Sequence, residues 1–96
     1  MIAVPFSLGA KVITPMAEEW VAEEDIARIL QRHQNGDFGD VSENDKCLNK
    51  EALEEDTGRV FSAYQIGAMR VWVITEGLEP DQANDRYTTV LLPEEY

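Results

Sequence analysis

Ile26, Ile29, Leu30 and His33 recur at i, i+3, i+4 and i+7, the spacing that lines one side of a helix. Arg28 and Arg32 fall outside that stripe. Asn35-Gly36 ends the run, since glycine takes the left-handed conformation that closes helices. Upstream, Thr14-Pro15 is a start signal: the hydroxyl caps free N–H groups, and proline at the first helical position lacks only a donor with no partner there. One or two helical turns over 16–21 follow, and around Ala22 the pattern fits one long helix or two short ones equally well. Before them, an apolar start over residues 1–10 leads into Lys11-Val12-Ile13, which reads as a short first strand.

The loop 36–41 holds two glycines and is tight. Ser42 with Asp45 three residues on resembles a capping box, with Asp shorter than the usual Glu or Gln. A helix over Glu43–Glu55 is predicted next, with Leu48 and Ala52 on one face and Leu53 beside them, closed by Asp56-Thr57-Gly58. The period then changes from 3.6 to 2. Runs 59–65 and 69–76 read as strands joined by Ile66-Gly67-Ala68, a hairpin signal. Val71-Trp72-Val73-Ile74 is apolar on both alternating faces, the pattern of an interior strand covered on both sides. A polar loop over 77–85 precedes a last strand, 87–92, which Pro93 stops. The expected fold is α+β, with N-terminal helices packed on a three- to four-stranded antiparallel sheet and the N-terminal segment added at an edge. It forms one domain over residues 1–96.

Composition narrows the function classes. The 96 residues carry 8 Lys+Arg and 19 Asp+Glu, a net charge of −11, which excludes the basic footprint of a nucleic-acid binder. The hydrophobic content of 44% fits a folded domain, unlike acidic disordered chains. A lone Cys47 provides neither a disulfide framework nor a Cys-rich zinc site, and fits a reducing compartment. No run approaches the ~20 apolar residues that cross a bilayer, and the start lacks the pattern of a signal peptide. A cytoplasmic protein without membrane association is the expectation.

Four segments carry a resemblance: Arg32-His33-Gln34-Asn35-Gly36-Asp37-Phe38-Gly39-Asp40-Val41, Gly58-Arg59-Val60-Phe61-Ser62-Ala63-Tyr64, Val71-Trp72-Val73-Ile74-Thr75-Glu76 and Thr88-Thr89-Val90-Leu91-Leu92-Pro93-Glu94-Glu95-Tyr96. Together they resemble a family of small bacterial proteins of plasmids, phages and integrated elements, with an RHxxGD[FW]GD block followed by WIITE and TTxLLPEEY blocks. The resemblance spans Arg32 to Tyr96 and implies a mobile-element accessory role but no defined chemistry. Some members carry a type I restriction-subunit label, which this chain, lacking a methyltransferase motif, does not support. Here residues 77–85 stand where the family has a short turn.

Two constellations compete for function. Asp37, Asp40, Glu43 and Asp45, with His33 upstream, offer the oxygens a divalent cation takes, although no calcium-loop pattern or paired histidines accompany them. The commoner role of such residues is local: turn aspartates bond loop N–H groups, Ser42 caps, and Phe38 plugs the loop into the core. His33 is a general-base candidate without a nucleophile beside it. At a helix end it also suits the unpaired carbonyls, and that role has the greater weight. Cys47, among acids, lacks the electropositive setting of a reactive thiol.

The acid itself is the more unusual feature. Residues 1–58 hold five cations and thirteen acids, −8, whereas 59–96 hold three and six, −3. A folded negative surface steers basic proteins toward it and at the extreme substitutes for DNA's phosphate row; a solvated face kept acidic for solubility is the commoner outcome. The resemblance to proteins of mobile elements, which often need to neutralise host defence, raises the other reading: it implies a non-enzymatic, DNA-mimic-like inhibitor that binds a basic host defence complex such as CRISPR or restriction machinery. The partner-binding residues would be Glu18, Glu19, Glu23, Glu24, Asp25, Asp40, Glu43, Glu51, Glu54 and Glu55. No catalytic residue, metal or cofactor is expected, and no direct contact with nucleic acid. The alternatives are a small divalent-metal-binding or hydrolytic protein around His33, Asp37 and Asp40, and a homodimeric adaptor using a sheet edge or face, since Tyr64, Trp72 and Tyr87 exceed the needs of a thin core.

Overall fold

The computed structural model describes residues 6–79, 81 and 85–96. The apolar start over 1–5 and the part of the polar loop at 80 and 82–84 lie outside the described residues. In chain order the elements are β1 (Ala10–Ile13), α1 (Pro15–Trp20), α2 (Glu23–Gln34), α3 (Glu43–Glu55), β2 (Val60–Ile66), β3 (Met69–Glu76), β4 (Tyr87–Leu91) and a 3-10 turn, Pro93–Glu95. The class is α+β.

Local signals set the helix ends. Thr14 Oγ1 accepts from the Ala17 amide at 3.3 Å, with Pro15 in the first turn. Two short helices form, because Val21 and Ala22 both take extended backbone angles. Ser42 Oγ accepts from the Asp45 amide at 3.1 Å. Gly39 lets the next loop press on the sheet: its φ is 71°, and a Cβ there would lie 2.1 Å from the Ala63 carbonyl oxygen.

The sheet has strand order β1-β4-β3-β2. β2 and β3 form an antiparallel hairpin and β4 adds antiparallel to β3, but β1 pairs with β4 in parallel. The expected all-antiparallel sheet is therefore mixed. Parallel neighbours need a long connection, and here it is everything from α1 to β3.

Successive residues of a strand point to opposite faces, and the register aligns them across the sheet. Tyr64 with Val71, Ser62 with Val73, and Thr75 with Thr88 share one face; Phe61 with Ile74, Trp72 with Leu91, and Ile74 with Thr89 share the other. α1 and α2 cover the first face. Ala17, Ile26, Ile29 and Leu30 pack there against Tyr64, Val71, Val73 and Val90. Each such large apolar side chain contributes ~1.5–3 kcal/mol on leaving water. The whole predicted stripe of α2, His33 included, is buried.

α3 sits on the outer edge of β2, rotated from the expected orientation. Its buried residues are Asn49 and Ala52, while Leu48 is exposed. The cause is a backbone match: Asn49 donates from Nδ2 to the Phe61 carbonyl at 2.7 Å and accepts the Phe61 amide on Oδ1 at 2.9 Å. Two positions on, the Asp40 amide donates to the Ala63 carbonyl and the Ala63 amide to the Phe38 carbonyl. The free edge of β2 is thus closed by a side chain and a loop, which blunts edge-to-edge pairing. Phe38 is buried with Val41, Ala52, Val60 and Ala63, as its plug role requires.

Candidate functional site

The only histidine is a core residue. His33 has 0% exposure, with Nδ1 2.5 Å from Ser62 Oγ and Nε2 2.8 Å from Thr75 Oγ1. Thr75 and Thr88 hydroxyls lie 2.7 Å apart, and Thr88 donates to the Leu8 carbonyl at 2.7 Å. Because that carbonyl only accepts, the proton order follows: Thr88 has spent its hydrogen, so Thr75 donates to Thr88, and Nε2–H donates to Thr75. Nδ1 then accepts from Ser62. Burial pushes the imidazole pKa down to about 3, because a charged ring there loses its water. Phe6 and Phe38 meet the ring edge-on. His33 therefore neither caps the end of α2, as the sequence favoured, nor faces solvent as a general base would. It ties α2 to the sheet.

The aspartates of the tight loop face arginines. Arg32 reaches Asp37 through Nε at 2.7 Å and Nη2 at 3.2 Å, its guanidinium 4.7 Å from the Tyr64 ring centre. The hydrogen bond from Arg32 holds the Asp37 carboxyl below the usual carboxylate range. Asp37 Oδ1 also accepts the Gly39 amide, and Arg70 lies 3.1 Å from Asp40. Among the described residues no group of three His, Cys, Asp or Glu side chains could hold a metal ion.

The ten candidate partner-binding acids fall into two groups. Glu18 and Glu19 lie on α1, and Glu23, Glu24 and Asp25 on the first turn of α2; Glu43, Glu51, Glu54 and Glu55 lie on α3, with Asp40 in the loop before it. α1 packs on β4 and α3 on β2, with β3 between those strands. One set therefore flanks each side of the sheet. Three acids are engaged: Asp25 with Arg28 at 2.7 Å, Asp40 with Arg70, and Glu43 with Lys46 at 3.4 Å. Among the described residues the other seven form no ion pair, and all seven are exposed.

Two apolar surfaces stand out, and only the second has a signal in the sequence. A groove of about 460 Å³ runs between α1 and α2, lined by Ile13, Val21, Ile26, Ala27 and Leu30 with Glu18 and Glu23 on it. The second lies on the sheet face away from α1 and α2, where Leu48, Phe61, Trp72, Ile74 and Tyr96 line a cleft of about 240 Å³ with Arg59 and Asp45. Trp72 meets Phe61 and Tyr96 edge-on, and Arg59 donates to the Tyr96 hydroxyl at 2.7 Å. The surplus of aromatics is the signal of this face in the sequence. Tyr64, though, is on the sealed face, donating to the Asp37 carbonyl at 2.6 Å. Cys47 is exposed, and among the described residues no helix is long and apolar enough to cross a membrane. Comparison of the chain with protein-family models, with curated proteins and with solved structures gives no match.

Proposed function

We propose that this chain is a non-enzymatic accessory protein of a mobile element, an inhibitor whose acidic surface occupies the basic nucleic-acid-binding site of a host defence complex such as CRISPR or restriction machinery. The observation that carries this is the set of seven exposed carboxylates without an ion pair among the described residues: Glu18, Glu19, Glu23, Glu24, Glu51, Glu54 and Glu55. Unpaired surface charge keeps its long-range field and steers a basic partner; acids already bridged to arginine or lysine contribute less. Resemblance to mobile-element proteins supplies the biological setting. Binding on this basis weakens in salt, because exposed charges are screened.

The test is inhibition of DNA binding by a purified defence complex. Glu18→Lys with Glu19→Lys, and separately Glu54→Lys with Glu55→Lys, should each weaken inhibition by about tenfold or more, roughly 1.4 kcal/mol. The melting temperature should stay within a few degrees of the wild type, since isolated surface changes cost little. Inhibition that survives both reversals defeats the proposal. A homodimeric adaptor is the second reading, favoured by exposed Tyr87 on the sheet face away from α1 and α2, with exposed Leu48 of α3 and Tyr96 beside that face; concentration-dependent light scattering separates the two.

A further inference from the structure

The groove between α1 and α2 combines an apolar floor with acids that form no ion pair among the described residues. Val21, Ile26 and Leu30 form the floor, Ala27 is its exposed wall, and Glu18 and Glu23 stand on it. Glu19 and Glu24 follow directly in the chain, and none of the four forms an ion pair among the described residues. A purely electrostatic surface has no use for this floor, and a purely apolar contact is ill served by the two carboxylates that line it. One kind of occupant satisfies both: a segment with aliphatic side chains on one side and lysine or arginine beside them.

We infer that this groove holds a positively charged amphipathic helix of the partner protein, its apolar stripe on Val21, Ile26, Ala27 and Leu30 and its cations on Glu18 and Glu23. This is the helix-in-groove mode of recognition, and it rests on the proposed acidic docking function, which it refines from charge attraction to anchored contact. A second copy of this chain is the poorer occupant, because each copy brings a net charge of −11 and the same acids to the contact, and like charges brought together cost energy.

The experiment uses the full chain and three dye-labelled synthetic peptides of about 14 residues, near the length at which helices become marginally stable. The first has leucines at helical spacing among lysines, the second the same composition with the spacing scrambled, and the third serine in place of leucine. Anisotropy should show the first binding about tenfold more tightly than either control, with measurable binding persisting in about 1 M salt, where the screening length is ~3 Å. Ala27→Asp is the discriminating variant: it adds an acid and removes apolar floor. Anchored docking requires it to weaken the first peptide about tenfold, whereas simple charge attraction requires it to bind at least as well. Ala27→Gln, which removes the apolar wall without adding charge, separates the same two cases if the aspartate lowers the melting temperature. Equal affinity for the three peptides, or undiminished binding by both variants, overturns the groove assignment. The inhibitory function stands or falls separately, on the loss of DNA-binding inhibition by the purified defence complex.

Discussion

The two faces of the sheet are built from the same alternating strands and have opposite characters. On the face beneath α1 and α2 lie hydroxyls and an imidazole, Ser62, Thr75, Thr88 and His33, each at most 1% exposed. On the other lie Phe61, Trp72 and Tyr87, half-buried or exposed. The usual sorting, apolar inside and polar outside, is inverted in these positions. The sealed face tolerates polar groups because every one of them is hydrogen-bonded in an ordered chain, and a satisfied buried network costs little while specifying one arrangement. Among the described residues the open face is covered only by the turn Pro93–Glu95, by Tyr96 and by the flank of α3. Sealing here depends on what packs above a residue rather than on its type.

The largest expected effect breaks the sealed face. His33→Ala removes the ring between Phe6 and Phe38 and strands the Ser62 hydroxyl and one side of Thr75. A cavity of aromatic size plus an unpaired buried hydroxyl should cost ~3–5 kcal/mol, read as a fall in the urea midpoint. A cost below ~1 kcal/mol is the range of exposed positions and would mean that water enters the network.

A subtler perturbation of the same face is pH. In the unfolded chain His33 takes up a proton below its ordinary pKa of about 6.5; in the fold it refuses one until about 3. Between those values the unfolded state holds the extra proton, so acidification favours unfolding by ~1.4 kcal/mol per pH unit, on the order of 4–5 kcal/mol over the window. The carboxylates titrate too, and relief of the −11 charge works the other way. A His33→Phe variant shares those carboxylates and lacks the imidazole. The difference in stability between wild type and variant should be flat above pH 7 and fall steadily from 6.5 to 3. Parallel curves throughout would show that the ring is accessible to protons in the folded state.

The contrast between faces is only partly legible in the sequence. Thr14-Pro15 and Ser42 mark their helix starts because a cap acts within three residues, and the stripe Ile26, Ile29, Leu30, His33 marks the buried side of α2 because periodicity is local. His33 belongs to that stripe by spacing alone, but its role is not readable there, since Ser62 and Thr75 lie 29 and 42 positions away. Asn49 is hidden for a different reason: a carboxamide that mimics a strand's backbone looks polar to any count of apolar positions, so the pattern puts Leu48 inside in its place. The parallel partner of β1 is fixed by how the whole chain returns, which no short pattern encodes. The α1–α2 groove is equally hidden, because Ile26 and Leu30 read as core whether or not a channel reaches them.

The smallest expected effect tests whether the open face is open. Tyr96 is 69% exposed, yet it meets Trp72 edge-on at 5.6 Å, lies under the Arg59 guanidinium at 5.8 Å and accepts a hydrogen bond from it. Exposed aromatic and cation–ring contacts of this kind are worth ~0.5–1 kcal/mol each, and part of that is offset by the lost freedom of an exposed side chain. Tyr96→Ala should therefore cost ~1 kcal/mol or less, while Trp72 emission shifts to longer wavelength as its edge meets water. A loss of ~3 kcal/mol would place Tyr96 among core residues and make the second face sealed like the first, with the C-terminal turn serving as its lid. A small cost together with a clear spectral shift leaves the two faces distinct: one closed by helices and specified by its hydrogen bonds, the other presenting Phe61 and Trp72 beneath a side chain that is easily removed.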